Sequence, residues 1–291
     1  MTLVPTRTLM SSARAAGRGL GAFNVIHLET ASALVRAAEH AGLPVILQLS
    51  QNCIAYHGDL DPIARAMLTI AERSSAEIAV HLDHAEDLAL VHRAVDLGFG
   101  SVMYDGSALD FADNVVHTRR ATAYAHASDC YVEAELGRVG GKDGAHAPGV
   151  RTDPTEAKDF VDATGVDALA VAVGSSHAMR ERTAELDHEL IRRLRSAVPV
   201  PLVLHGSSGV PDGQIVRAIR AGMTKINVST QLNTHFTAAV REVLAGRPDV
   251  VDSRVYIARG ADAVTAEAER LLRVFALDPD TTSHPAEETA C

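Results

Sequence analysis

A chain of 291 residues with 47% hydrophobic and 22% charged residues has the balance of a folded globular protein, which excludes disorder and fibrous repeats. The formal charge of −10, from 27 Lys and Arg against 37 Asp and Glu, excludes nucleic acid as an expected partner, and with 4% aromatics and no tryptophan there is no stacking platform for bases. No apolar run reaches the ~20 residues of a membrane span, and the N-terminus MTLVPTRTLMSSARAAG lacks a secretory apolar core. Cys53, Cys130 and Cys291 are spaced too widely for a disulfide framework or metal knuckle, so a reducing, cytoplasmic location is expected.

After a predicted N-terminal helix, eight short apolar runs read as strands: GAFNV (21–25), PVILQLS (44–50), IAVHLDH (78–84), SVMYDGS (101–107), YVEAELG (131–137), ALAVAVGSSH (168–177), PLVLHGSSG (201–209) and KINVST (225–230). Helical periodicity fills the intervals, as in 28–42, 86–98 and 211–222, each closing on a glycine. This alternation predicts an α/β protein with a parallel sheet, and eight units predict a (β/α)8 TIM barrel. One domain is expected over 1–291: an ordered part from 4 to 275 with C-terminal helices near 255–275, and a flexible tail at 276–291. An open doubly wound sheet is the alternative, but no GxGxxG follows the first strand.

Each run begins apolar and ends polar, at Asn24, Ser50, Asp83 with His84, Asp105, Glu135, His177, His205, and Asn227 with Ser229. In a barrel those carboxyl ends meet on one face, where the active sites of this fold lie. His84, His177 and His205 end the third, sixth and seventh strands, so three imidazoles from separate strands predict an open, catalytic Zn²⁺ site. Asp83, beside His84, is the candidate acid/base for a substrate whose carbonyl a metal polarises. Asp105 and Glu135 are either alternative metal ligands or acceptors that orient the histidines. His81 is expected to be buried and hydrogen-bonded rather than a ligand.

The last three strands are followed by turns rich in Gly, Ser and Thr: Gly174 to Ser176, Gly206 to Gly209, and Asn227 to Thr230. Backbone N–H groups in such turns, ahead of a helix, bind phosphate without a basic side chain, so an acidic protein still accommodates a phosphorylated substrate. GGKDGAHAPG (140–149) has the composition of a lid, with Lys142 and Asp143 either solvated or delivered to the substrate on closure. Carbon–carbon cleavage of a ketose through a Schiff base needs a lysine inside the barrel. Of the three lysines, Lys225 is expected at the start of the eighth strand, the wrong end, while Lys142 falls in a loop and Lys158 in a polar helix, which leaves the metal route.

At HLDH (81–84), VEAELGRVGG (132–141), SSHA (175–178), LHGSSG (204–209) and KINVST (225–230), in this order, the chain resembles the class II fructose-bisphosphate and tagatose-bisphosphate aldolases from about residue 4 to about 275. The resemblance implies a zinc-dependent barrel, a homodimer or homotetramer of carbohydrate metabolism such as glycolysis. It would cleave a ketose 1,6-bisphosphate to dihydroxyacetone phosphate and an aldehyde such as glyceraldehyde 3-phosphate through a zinc-stabilised enediolate. It implies one Zn²⁺ per chain on His84, His177 and His205, proton transfer by Asp83, and a possible alternative or second metal position at Asp105 and Glu135. It further implies dihydroxyacetone phosphate contacts at Ala178, Gly206, Ser207, Ser208, Asn227, Val228, Ser229 and Thr230, with a monovalent cation near the phosphate. Asn24 and Ser50 resemble the family's contacts to substrate hydroxyls, and Arg254 an arginine that would receive the distal phosphate, in its own or a neighbouring subunit's site. Ala178 stands where the family commonly has glycine, and Lys142-Asp143 where it commonly has Glu-Asp, which makes Asp143 the candidate base for the substrate carbon. Alternatives are another phosphorylated ketose, a metal-dependent hydrolase on the same fold, and a non-catalytic sugar-phosphate barrel.

Overall fold

The computed structural model describes residues 3–137, 150–177 and 179–279. The chain opens with α1 (Thr6–Ala16), β1 (Leu20–Asn24), α2 (Leu28–Ala41) and β2 (Val45–Ser50), then two helices, α3 (Gln51–His57) and α4 (Asp61–Glu72). There follow β3 (Ile78–Ala85), α5 (Leu88–Asp96), β4 (Ser101–Tyr104), α6 (Phe111–His126), β5 (Tyr131–Leu136) and α7 (Pro154–Thr164). The last part runs through β6 (Ala168–Val171), α8 (His188–Ala197), β7 (Leu202–Leu204), α9 (Asp212–Ala221), β8 (Met223–Val228), α10 (Thr230–Gly246) and α11 (Ser253–Phe275). The strands pair in chain order, all parallel, and β8 pairs back to β1 with Ala22 opposite Asn227, closing the predicted (β/α)8 barrel.

Side chains alternate across each strand, so the sheet has an outer and an inner face. The outer face, with Phe23, Leu47, Val80, Val132 and Leu204, packs against the helices in one continuous apolar layer. Inside, Leu20, Ala22, Ile46, Ala79, Tyr131 and Val203 fill the lower barrel, and Leu9 and Met10 of α1 close its floor. Above that apolar plug many inward positions are polar, among them His81, Glu133, Glu135 and Lys225, so hydrogen-bonding groups share the middle of the barrel with apolar residues such as Met103.

Two expectations are corrected. β6 stops at Val171, so His177 belongs to the loop beyond the strand rather than to its end. β8 begins at Met223, two residues before the expected start, because Gly222 takes φ 131° and lets the chain turn straight from α9 into the sheet. Lys225 therefore lies in mid-strand, 1% exposed, inside the barrel and not at its wrong end.

Candidate active site

At the carboxyl end of the barrel a cavity of about 430 Å³ is lined by Asn24, Ser50, Asp83, His84, His177, Gly206, Ser208, Asn227, Ser229 and Thr230, all expected from sequence. Gln51, Asn52 and Glu86 also line it and were not anticipated. Asp83 and His84, neighbours on one strand, both reach the mouth because His84 has φ 50° and the β3–β4 register shifts between Leu82 and Ala85. A positive φ at a non-glycine residue is a strained conformation of the kind that clusters at functional sites. Gly206, with φ 66°, lets the chain after β7 pass under the His177 loop, where a Cβ would sit 2.6 Å from the Ser176 carbonyl carbon.

His84, His177, His205 and Glu135 each offer a ligand atom within 4.8 Å of the others, a set that could hold a metal ion. Two of the imidazoles are set by outer partners. His84 Nδ1 lies 2.7 Å from Asp105 Oδ2, and His205 Nε2 lies 2.9 Å from Glu133 Oε1. If both of these nitrogens carry the proton toward a carboxylate, the lone pairs of His84 Nε2 and His205 Nδ1 are left facing each other at 2.9 Å. Two lone pairs in that arrangement repel unless a proton or cation lies with them, so the donor set fits a metal. Burial, then His84 and Lys225, push His205 well below the ordinary imidazole value, which keeps it neutral and able to ligate.

Asp83 is 3% exposed. Its Oδ2 accepts a hydrogen bond from Asn24 Nδ2 at 2.8 Å, and Gln48 Nε2 in turn donates to Asn24 Oδ1 at 3.2 Å. Asp83 Oδ1 has no hydrogen-bond partner among the described residues and stands 4.0 Å from His84 Nε2. Burial pushes the carboxyl up, but His84 and His205 in their protonated forms, with Lys225 and the Asn24 hydrogen bond, outweigh it and hold it down to about 2. One oxygen is thus fixed and the other remains available, on an ionised group.

Beneath the imidazoles lies a column that sequence reasoning missed. Lys225 Nζ donates to Glu133 Oε2 at 2.8 Å and lies 3.4 Å from His81 Nε2, while His81 Nδ1 lies 2.8 Å from Ser101 Oγ, which accepts from Thr6 Oγ1 at 2.8 Å. His81 is buried and hydrogen-bonded as expected, and burial followed by Lys225 lowers it well below the ordinary value. The signal for Glu133 was the alternation in VEAELG, which turns Glu133 and Glu135 to the same face. Lys225, though inside the barrel, does not line the cavity and is held by Glu133 below the imidazoles.

The other expected contacts divide. Ser208 Oγ accepts from the backbone N–H of Ser229 at 3.3 Å and of Gln231 at 3.2 Å, joining the β7 turn to the start of α10 at the rim. Ser207 Oγ donates instead to the Leu204 carbonyl at 3.1 Å, and neither Ser207 nor Val228 lines the cavity. Ser50 caps α3 by accepting from Cys53 N. Arg254, 89% exposed in its side chain, pairs with Asp252 at 2.7 Å and lies outside the cavity. Ala178, Lys142 and Asp143 fall outside the described residues.

A TIM barrel that gathers imidazoles from three of its strand ends and loops beside a buried ionised aspartate carries a cluster that could hold a metal ion at its mouth. The profile described as fructose-bisphosphate aldolase class-II matches residues 4–278, and the chain belongs to that family of carbon–carbon lyases. Among solved structures, it resembles the YdjI aldolase of Escherichia coli K12, with 31% identity, a TM-score of 0.82, and 96% of this chain and 99% of that one covered. A candidate fructose-1,6-biphosphate aldolase from Coccidioides immitis gives 30% identity and a TM-score of 0.85 over 96% and 99% of the two chains. The fructose-bisphosphate aldolase Fba of Campylobacter jejuni shares the fold at 21% identity and a TM-score of 0.75, over 92% and 93%.

Proposed function

We propose that this class II aldolase cleaves a ketose 1,6-bisphosphate of the fructose or tagatose type to dihydroxyacetone phosphate and an aldehyde such as glyceraldehyde 3-phosphate. The observation that carries the reading is the convergence of His84, His177, His205 and Glu135 beside ionised Asp83 at the mouth. The three imidazoles would hold one Zn²⁺, with Glu135 a further ligand position and Asp105 orienting His84. A bound zinc supplies Lewis acidity that polarises the ketose carbonyl and offsets the charge developing as the carbon–carbon bond breaks.

The rest falls to the chain itself. Asp83, fixed through Oδ2 by Asn24, takes through Oδ1 the proton of the hydroxyl that becomes the aldehyde, and returns it in the condensation direction. Asp143 returns a proton to the carbon left behind. Gly206, Ser208, Ser229, Thr230 and the N-terminus of the 17-residue α10 suit a phosphate without basic side chains, with Ala178 and a monovalent cation completing that subsite. Asn24, Asn227 and Ser50 meet substrate hydroxyls. Arg254, exposed at the start of α11, would reach the distal phosphate in a neighbouring subunit of a homodimer or homotetramer. We place the enzyme in the cytoplasm and in carbohydrate metabolism; no described helix is long and apolar enough to cross a membrane.

A second reading follows from one observation: no Lys or Arg lines the cavity among the described residues, while Glu86 does. A ketose with a single phosphate would suit that lining. Dihydroxyacetone phosphate release from fructose and tagatose 1,6-bisphosphates and from ketose 1-phosphates, measured side by side, decides. Preference for the bisphosphates supports the first reading, and equal or better turnover of the monophosphates the second. Deuterium exchange at the carbon of dihydroxyacetone phosphate tests the proton roles: Asp83→Ala keeps exchange and loses cleavage, whereas Asp143→Ala loses both. Normal exchange in Asp143→Ala would move the carbon base elsewhere.

A further inference from the structure

At the end of the barrel opposite the mouth, a cavity of about 250 Å³ opens beneath β8. Arg14, Arg18, Arg195 and Arg220 all line it, and no acidic residue does. In a chain of net charge −10 this is a local excess of four positive charges. Other arginines of this protein lie on carboxylates, as in Arg7–Asp167 at 2.7 Å and Arg93–Asp59 at 2.6 Å. None of the four forms an ion pair with a described carboxylate, and the one side-chain hydrogen bond among them runs from Arg14 Nη1 to the Pro199 carbonyl.

Helix electrostatics accounts for part of the arrangement. Arg14, Arg195 and Arg220 occupy the last turns of α1, α8 and α9, where a cation complements the negative helix end. Three helix ends contribute roughly −1.5 elementary charges in all, at about half a charge each. Four full guanidinium charges exceed that. The partly buried Arg14 is held below its ordinary value by burial and by repulsion from Arg195. Repulsion of this kind is relieved by a ligand with several negative oxygens, and a single carboxylate leaves most of it in place. Planar guanidinium forks match phosphoryl oxygens in pairs, which a lysine cluster does not.

We propose that this cavity is a second anion site, distinct from the mouth, that binds a small ligand bearing phosphoryl groups. Thr224 adds a residue with a hydroxyl group to the lining, and the glycines Gly17 and Gly222 keep the lining free of side chains where the helices end. The site stands independently of the substrate assigned to the mouth.

Isothermal titration calorimetry with inorganic pyrophosphate on the full-length, metal-loaded protein tests it, with acetate as the control anion. The wild type is expected to bind one more equivalent of pyrophosphate than Arg195→Ala/Arg220→Ala, and this additional binding should weaken as salt rises, because its source is charge. Arg18→Ala and Arg220→Ala as single variants, both at exposed positions, should each weaken it by about tenfold, the scale of one charge-assisted contact, and they decide the question if the double variant does not fold. Cleavage kinetics should be unchanged in all of them. Identical pyrophosphate isotherms in the wild type and the variants would overturn the site, and displacement by acetate at equal concentration would overturn the phosphoryl assignment.

Discussion

The two faces of the barrel sheet are packed on different terms. Outside, every strand contributes to one apolar layer shared with the helices, in which Leu47, Val80, Phe160 and Leu204 are fully buried. Inside, a cluster of ten apolar residues among those described fills the bottom, and above it Lys225, Glu133, His81, Ser101, Asp83, Glu135 and His205 occupy buried positions that carbon could have filled. The outer layer carries the stability of the fold by area removed from water. A polar interior adds little to stability, since desolvating paired charges costs about what their attraction returns. What it provides is fixed orientation at the mouth.

That division can be broken from either side. The largest effect on stability is expected outside: Phe160→Ala should cost about 3–5 kcal/mol, the usual range for a buried phenylalanine. Chemical denaturation measures the loss, and cleavage at low temperature should stay near the wild-type rate. Inside, Lys225→Ala leaves the buried Glu133 without its cation, held by His205 alone, and should cost about 3 kcal/mol, a penalty that Lys225→Met/Glu133→Leu largely removes while metal binding still suffers. Glu133→Gln removes the carboxylate that accepts from His205 Nε2 and should weaken metal affinity by roughly 10–100-fold, the range for such partners. Competition with a chromophoric chelator reads this directly, and unchanged affinity would show that Glu133 does not orient the ligand.

A smaller effect is expected on the outer layer as pH falls. Burial pushes Asp212 up, but hydrogen bonds and charge from Arg182 and Arg270 outweigh it and leave the carboxyl below its ordinary 3.8. A carboxyl depressed in the folded state stabilises above its unfolded value and loses that contribution as pH falls through its folded value. The melting temperature of the wild type should therefore drop faster below pH 4 than that of Asp212→Asn, which begins lower. Parallel curves would exclude Asp212 as a contributor.

The outer face was the legible part of the sequence. Eight apolar runs in order, separated by helical periods, were enough for the barrel, because each strand announces its own buried face. The mouth was legible where a residue ends a strand, as with Asn24, Asp83, His84 and His205. His177 was found by type and misplaced in structure, since β6 stops at Val171 and the loop that carries the histidine crosses Gly206, a tertiary contact. Lys225 was misread because Gly222 permits an abrupt entry into β8, which two residues of local pattern did not reveal. Its partner Glu133 comes from a strand three places away in the barrel, and no spacing in the chain records that pairing.

The proposed metal-assisted carbon–carbon lyase centre consists of the imidazoles and carboxylates above the polar column. The most direct test is release of dihydroxyacetone phosphate from ketose bisphosphates by one preparation as purified, after chelation and dialysis, and after zinc is restored, with metal measured at each stage. Cleavage is expected to fall with the metal and return with it, and Asp83→Ala to keep the metal yet cleave roughly 10²-fold more slowly, the scale of a positioned acid/base. Full cleavage by metal-free protein, or by Asp83→Ala, would contradict it.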